Sequence, residues 1–129
     1  MTRQDLINIY SREVIPTAFL KKSVSRDTFE TIVLPLFIKA YEEKDQYLGY
    51  APSQRNYACA YKHKIASDAY LSALSMFYDQ PKPEDDYDLE GAFEEALSDL
   101  HIYAYRLEQY SDAEIDCCYC SDEYQTEVR

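Results

Sequence analysis

The chain has 129 residues, a net charge of −11 and only two glycines, a combination that favours a helical domain of ordinary size over a turn-rich sandwich or barrel. No apolar run approaches the roughly 20 residues that cross a bilayer, and the first residues lack the apolar core of a secretion signal. We therefore predict an acidic, soluble protein of the cytoplasm (the host cytoplasm if the source is a virus) that does not act at membranes.

The first two predicted helices have clear start and stop signals. Thr2 is placed to cap the first helix, and Ile15-Pro16 should end it, because proline disfavours helical geometry in the preceding residue. Ser25 should cap the second helix. Its apolar positions follow the helical period with a kink expected at Pro35 and an end expected at Gly49.

The third predicted helix covers residues 52–78, and its apolar residues occupy nearly half of the helical circumference. These residues are Ala58, Tyr61, Ile65, Ala66, Ala69, Tyr70, Ala73, Met76 and Phe77. Such a wide arc favours a central position in the fold, with neighbouring helices on more than one side.

A loop is predicted at residues 79–88, which contain two prolines, and a fourth helix follows it to about Tyr110. Its apolar stripe consists of Leu89, Phe93, Leu97, Leu100, Ala104 and Leu107. Ser111 and Glu114 then have the spacing of a capping box, which predicts a short fifth helix through about Tyr119. The predicted fold class is all-α: a compact bundle of about five helices in one domain, residues 1–129, with a near-neutral part (1–78) and an acidic part (79–129).

The negative charge is concentrated in the second of these parts. Residues 79–129 contain 16 acidic and three basic residues, a net charge of −13, whereas residues 1–78 carry +2. Eight carboxylates fall within residues 84–99, a stretch that would be about 24 Å long if it were helical. Their spacing of roughly 3 Å would approach that of the phosphates along one DNA strand. A localised field of one sign selects partners of the opposite sign.

The acidic residues of the fourth helix fall outside its apolar stripe, and Ile102 and Tyr105 fall among them. Apolar and aromatic side chains supply affinity at interfaces, while charge supplies orientation. The predicted partner-binding residues are Asp85, Asp86, Asp88, Glu90, Glu94, Glu95, Asp99, Tyr105 and Glu108. One alternative stays open: these carboxylates only solvate the surface and complement the positive end of a helix dipole.

In charge and size, and in no motif, the chain resembles phage proteins that inhibit restriction or CRISPR nucleases. The resemblance implies a DNA mimic, an anti-restriction or anti-CRISPR type of inhibitor whose carboxylates take the places of phosphates on the basic surface of a nucleic-acid-binding enzyme. The chain itself is not expected to bind nucleic acid, because a net charge of −11 repels phosphate. A homodimer stays open as well.

A helical interaction or immunity-type protein, which recognises its partner by shape, is the main alternative function. Tyrosine is favoured at interfaces, and several tyrosines should cluster where the second and third helices meet. They are Tyr41, Tyr47, Tyr50, Tyr57 and Tyr61.

A cysteine-metal protein is the third possibility. Cys117 and Cys120 have the spacing of one half of a zinc site, but no second pair of ligands accompanies them, so no metal or other cofactor is predicted. His63 and His101 have no nucleophile or orienting partner at a diagnostic spacing. An enzyme is therefore not expected.

Overall fold

The computed structural model describes residues 2–50 and 57–108, and within them the chain forms four helices and no strand. Helix α1 is Arg3–Val14. Helix α2 has three consecutive parts: an α-helical turn Arg26–Thr28, a π-helical turn Phe29–Val33 and an α-helix Leu34–Tyr50. Helix α3 is Tyr57–Ser75, and helix α4 is Leu89–Glu108. The all-α class is confirmed. The described residues form four helices, and the predicted fifth helix falls outside them.

The predicted caps of α1 and α2 are confirmed. The Thr2 hydroxyl accepts a hydrogen bond from the Asp5 backbone N–H at 3.2 Å, and the Asp5 carboxylate accepts one from the Thr2 backbone N–H at 3.0 Å. This reciprocal pair is a capping box. Helix α1 ends two residues before Pro16, as the restriction on residues that precede a proline requires. The Ser25 hydroxyl accepts from the Thr28 backbone N–H at 3.0 Å and starts α2.

The disturbance predicted at Pro35 takes the form of the π-helical turn that precedes it. The Leu34 backbone N–H donates to the Phe29 carbonyl, five residues earlier. Pro35 lacks an N–H and crowds the turn before it, and a π turn accommodates such a local misfit. The predicted end at Gly49 is wrong: α2 continues to Tyr50, because Gly49 does not adopt the positive φ of a helix-terminating glycine.

The central helix of the fold is α2. It contacts α1, α3 and α4, while α1 also contacts α4. Val33, Phe37 and Ala40 of α2 are completely buried, and Leu74 of α3 and Leu100 of α4 belong to the same core. This arrangement leaves one side of α3 and one side of α4 facing solvent.

The prediction that α3 occupies the centre is wrong. Its buried stripe consists of Ala60, Ser67, Leu71 and Leu74. By contrast Tyr61, Ile65 and Met76, which belong to the predicted apolar arc, are exposed. The Ser67 hydroxyl donates to the Ala40 carbonyl oxygen of α2 at 3.0 Å, and this bond satisfies the polar group in the buried stripe. Two leucines, an alanine and a bonded serine therefore face the core, and none of them belongs to the predicted arc.

The segment between α1 and α2 is paired with the segment that follows α3. The Lys21 backbone N–H donates to the Phe77 carbonyl at 3.0 Å, and the Asp79 N–H donates to the Phe19 carbonyl at 2.6 Å. Phe19 has a φ of 63°, a left-handed conformation that costs a residue with a side chain about 1–2 kcal/mol. The pairing holds Phe19 in this conformation. The pairing fixes the start of the acidic loop beside the end of α1.

Candidate functional site

Helix α4 has one buried side and one exposed side. Its predicted apolar stripe is confirmed for the buried residues Phe93, Leu97, Leu100, Ala104 and Leu107. On the opposite side Ile102 is 49% exposed and Tyr105 is 61% exposed. Both lie on the side of α4 where the sequence places the acidic residues.

The predicted partner-binding residues lie on α4 and in the loop before it. In the loop, Asp86 and Asp88 are exposed and Asp85 is half-buried. The exposed predicted residues of α4 are Glu90, Glu95, Asp99 and Tyr105. Glu94 is half-buried, and Glu108 is the last residue of α4, with its side chain outside the described part of the structure. Because residues 79–88 are not helical, an evenly spaced helical row of eight charges does not form.

The carboxylates of α4 lie on two edges of the helix, and each edge borders a groove. The groove toward α3, the α3 groove, has a volume of about 750 Å³. It is lined by Lys44, Lys64, Asp68, Leu71, Ser72, Ser75, Gln80, Pro81, Tyr87, Asp88, Leu89, Glu90, Phe93 and Glu94. The α3 groove therefore combines four carboxylates with two lysines.

One of these carboxylates already has a partner within the molecule. Lys44 Nζ lies 3.3 Å from Glu94 Oε2 and 5.6 Å from the centroid of the Tyr47 ring. The ion pair offsets the charge of Glu94, so the α3 groove is less negative than its acidic residues alone indicate.

The two residues that flank Lys44 contact the two histidines. His63 Nδ1 of α3 lies 2.5 Å from Glu43 Oε2, and His101 Nδ1 of α4 lies 3.1 Å from Asp45 Oδ1. Three consecutive residues of α2 thus join it to both neighbouring helices. Sequence analysis missed both pairs, because their members come from different helices and no local spacing links them.

The second groove, the α1 groove, lies between α4 and the end of α1, and its volume is about 450 Å³. It is lined by Glu13, Val14, Ile15, Pro16, Thr17, Ala18, Tyr87, Ala92, Glu95, Ala96 and Asp99. Three carboxylates border it, and no lysine or arginine from residues 2–50 or 57–108 belongs to its lining. The α1 groove is therefore the more negative of the two. Glu13, from the near-neutral part of the sequence, was not predicted to take part.

Tyr87 lines both grooves. Its ring lies against that of Phe19, with the centroids 4.6 Å apart. The Tyr87 hydroxyl oxygen is buried and has no hydrogen-bond partner in the described part of the chain, and burial raises the pKa of this phenol. A tyrosine in a loop belongs to no periodic pattern, so the sequence contained no signal for this position.

The structure describes no metal centre. Within residues 2–50 and 57–108, no three His, Cys, Asp or Glu side chains are arranged to hold a metal ion. Cys59 is an exposed free thiol, and Cys117 and Cys120 lie outside the described residues. None of the described helices combines the length and the apolar character needed to cross a membrane.

Comparisons of the chain with protein-family models, with curated proteins and with solved structures find no match. A function for this protein therefore has to be inferred from its own contacts, charges and grooves.

Proposed function

We propose that this protein is an inhibitor that binds the basic surface of a nucleic-acid-binding enzyme, where its carboxylates take the places of phosphates. The observation that supports this proposal best is the exposed side of α4. Ile102 and Tyr105, one helical turn apart, lie between an acidic edge with Glu90 and an acidic edge with Glu95. Central apolar anchors flanked by charge are typical of protein interfaces.

The local charge supports the same proposal. Residues 79–108 contain ten acidic and two basic residues, and most of these acids are exposed. A surface that only keeps the protein dissolved needs charge of either sign. A surface of one sign raises the association rate with a basic partner.

Competition with DNA tests this function. The tagged protein captures partners from a nuclease-treated lysate at low salt, and each captured protein is purified and bound again in the presence of duplex DNA. We expect DNA to displace the partner and the affinity to fall steeply with salt, because salt screens exposed ion pairs. Binding that persists at saturating DNA, or that is insensitive to salt, would contradict the proposal.

Two charge-matched variants separate the surface of α4 from net charge. Glu90→Gln with Glu95→Gln removes one carboxylate from each edge of α4, whereas Asp27→Asn with Glu42→Gln removes two exposed carboxylates from α2. We expect only the α4 variant to weaken binding, by about two- to fivefold per carboxylate. Equal losses in the two variants would show that the partner responds to net charge alone.

One observation on α3 supports the alternative function, an interaction protein that recognises its partner by shape. The exposed side of α3 carries Tyr61 and Ile65, one helical turn apart. Met76, which follows the end of α3, is 72% exposed. Exposed apolar patches are typical of protein-binding surfaces. A partner that binds there would resist high salt, and Ile65→Ser with Met76→Ser would release it while the α4 variant would not.

The predicted tyrosine cluster at the corner of α2 and α3 does not support this alternative further. Tyr41 is only 7% exposed and belongs to the core. Tyr47 is half-buried beside Lys44, and the side chains of Tyr50 and Tyr57 lie outside the described part of the structure.

A further inference from the structure

We propose that the α1 groove receives the side chain of one arginine of the partner protein. This inference rests on the proposed function, because the groove borders one acidic edge of α4. It goes further by naming the group that anchors the partner and the residues that contact it.

The carboxylates of the groove indicate the sign of the charge on its occupant. Glu13 at the end of α1 lies across the groove from Glu95 and Asp99, which are four residues apart on α4 and therefore share one side of that helix. All three residues are exposed, and none of them forms a salt bridge with a described residue. Three carboxylates without a cation in the lining favour a positively charged guest.

The residues at the floor of the groove indicate which kind of side chain fits it. Val14 and Ala92 are half-buried, and Ala96 is buried, so small and apolar side chains lie between the carboxylates. A volume of about 450 Å³ falls within the range of roughly 300–1,000 Å³ that is usual for ligand sites. The methylene stem of a long basic side chain can cover such a floor while its charged end reaches the carboxylates.

Arginine fits this lining better than lysine. A guanidinium has five N–H donors in one plane and can bind two carboxylates at once, whereas an ammonium is a compact and strongly hydrated point charge. The residue Tyr87 is part of the lining of the same groove. Flat guanidinium groups also stack on aromatic rings.

The probe for this site is Nα-acetyl-arginine amide, titrated into the full-length chain and followed in ¹H–¹⁵N correlation spectra. Nα-acetyl-citrulline amide has nearly the same shape and no charge, so it is the control. We expect saturable shift changes at Ala92, Ala96 and residues 14–18 with the arginine probe only. Equal changes with citrulline, or changes centred on the α3 groove, would overturn the proposal.

Matched variants test the contacts. Glu95→Gln with Asp99→Asn should weaken probe binding by about two- to fivefold per carboxylate, whereas Asp86→Asn with Glu90→Gln, which removes the same charge outside the α1 groove, should leave it unchanged. Equal affinity for the two variants would overturn the proposal.

A steric variant tests the groove without changing its charge. Ala92→Leu fills the floor, and Ser98→Leu adds the same side chain to an exposed position of α4 that lines neither groove. With both variants shown to be folded by circular dichroism, only Ala92→Leu should block the arginine probe. Unchanged binding to Ala92→Leu would overturn the proposal, and an unfolded Ala92→Leu leaves the carboxylate variants as the deciding test.

Different experimental results would contradict the arginine site and the inhibitor function. If the probe binds the α1 groove and DNA displaces no partner, the inhibitor function is wrong and the arginine site stands. If a DNA-displaceable partner binds folded Ala92→Leu as tightly as the parent, the arginine site is wrong and the inhibitor function stands. Dimerisation in sedimentation experiments that Ala92→Leu abolishes would assign the groove to a second copy and overturn the proposal.

Discussion

The Tyr78 hydroxyl donates a hydrogen bond to the carbonyl oxygen of Pro16, 62 residues earlier in the chain. Tyr78 is only 2% exposed, and its ring packs edge-on against that of Phe93, with the centroids 5.2 Å apart. One side chain therefore joins the segment after α1, the segment after α3 and the N-terminal part of α4. These contacts hold in place two of the elements that form the α1 groove.

Removal of this hydroxyl should destabilise the fold. We expect Tyr78→Phe to lower the free energy of unfolding by about 0.5–1.5 kcal/mol, because the Pro16 carbonyl loses its side-chain donor. Tyr87→Phe is the matched control: the Tyr87 hydroxyl has no partner among the described residues, so its loss should cost nothing. Urea titrations of the two variants measure the difference, and equal losses would contradict this account.

The same phenol should make the fold sensitive to alkali. Burial raises the pKa of Tyr78, and the neighbouring Tyr87 adds to this effect, whereas the phenol of an unfolded chain ionises near pH 10. The folded state binds this proton more tightly, so its contribution to stability is complete below about pH 10 and is lost as the pH rises further. We expect the free energy of unfolding to fall above pH 10, and to fall less in Tyr78→Phe. Parallel curves from urea titrations at pH 8–11 would contradict the prediction.

The two glycines should respond oppositely to alanine. A Cβ at Gly49 would meet nothing within 4 Å, whereas a Cβ at Gly91 would lie 2.7 Å from Asp88 Oδ2. We expect Gly49→Ala to stabilise the protein by about 0.5–1 kcal/mol, and Gly91→Ala to gain less or to destabilise it. Thermal unfolding measures both. Gly91→Ala in an Asp88→Ala background should recover the gain, and its failure to do so would show that the Asp88 carboxylate is not the obstacle.

Two neighbouring apolar residues of α4 should have different roles. Leu100 is completely buried, whereas Ile102 is exposed. We expect Leu100→Ala to cost about 2–5 kcal/mol of stability, and Ile102→Ala to change it by less than about 0.5 kcal/mol. Under the proposed function Ile102→Ala should weaken partner binding instead. A large loss of stability in Ile102→Ala would remove Ile102 from the proposed surface.

The Asp5 carboxylate should contribute more to the stability of the α1 capping box when it is ionised. Hydrogen bonds from the Thr2 backbone N–H and the Thr2 side chain lower the pKa of the Asp5 carboxyl. A lowered pKa in the folded state means that the contribution is present above the ordinary value of about 4 and is lost as the pH falls through the folded value. We expect Asp5→Asn to be less stable than the parent at pH 7 and equally stable in strong acid. A difference that persists at low pH would exclude the ionised carboxylate as its cause.

Local chemistry made much of this fold predictable. Thr2 and Ser25 cap helices through atoms three residues away, and α4 has strong contrast between its two sides, so a helical wheel identifies its buried stripe. The acids of α4 could be placed on the exposed side for the same reason.

Contacts between distant residues were not predictable from these patterns. The buried position of Ser67 depends on a carbonyl 27 residues away, and the apolar residues on the other side of α3 misplace its core-facing stripe. Likewise, no periodicity predicts that Glu13 and Glu95 line the same groove, because this depends on the packing of α1 against α4.

The α1 groove exists only in the native chain, since unfolding separates Glu13 from Glu95 and Asp99 while leaving the net charge of −11 unchanged. A partner that recognises this arrangement binds the native state alone, and by mass action it raises the melting temperature by an amount that grows with the logarithm of its concentration relative to its dissociation constant. A partner that recognises only the net charge would bind native and unfolded chains equally well, and it would leave the melting temperature unchanged.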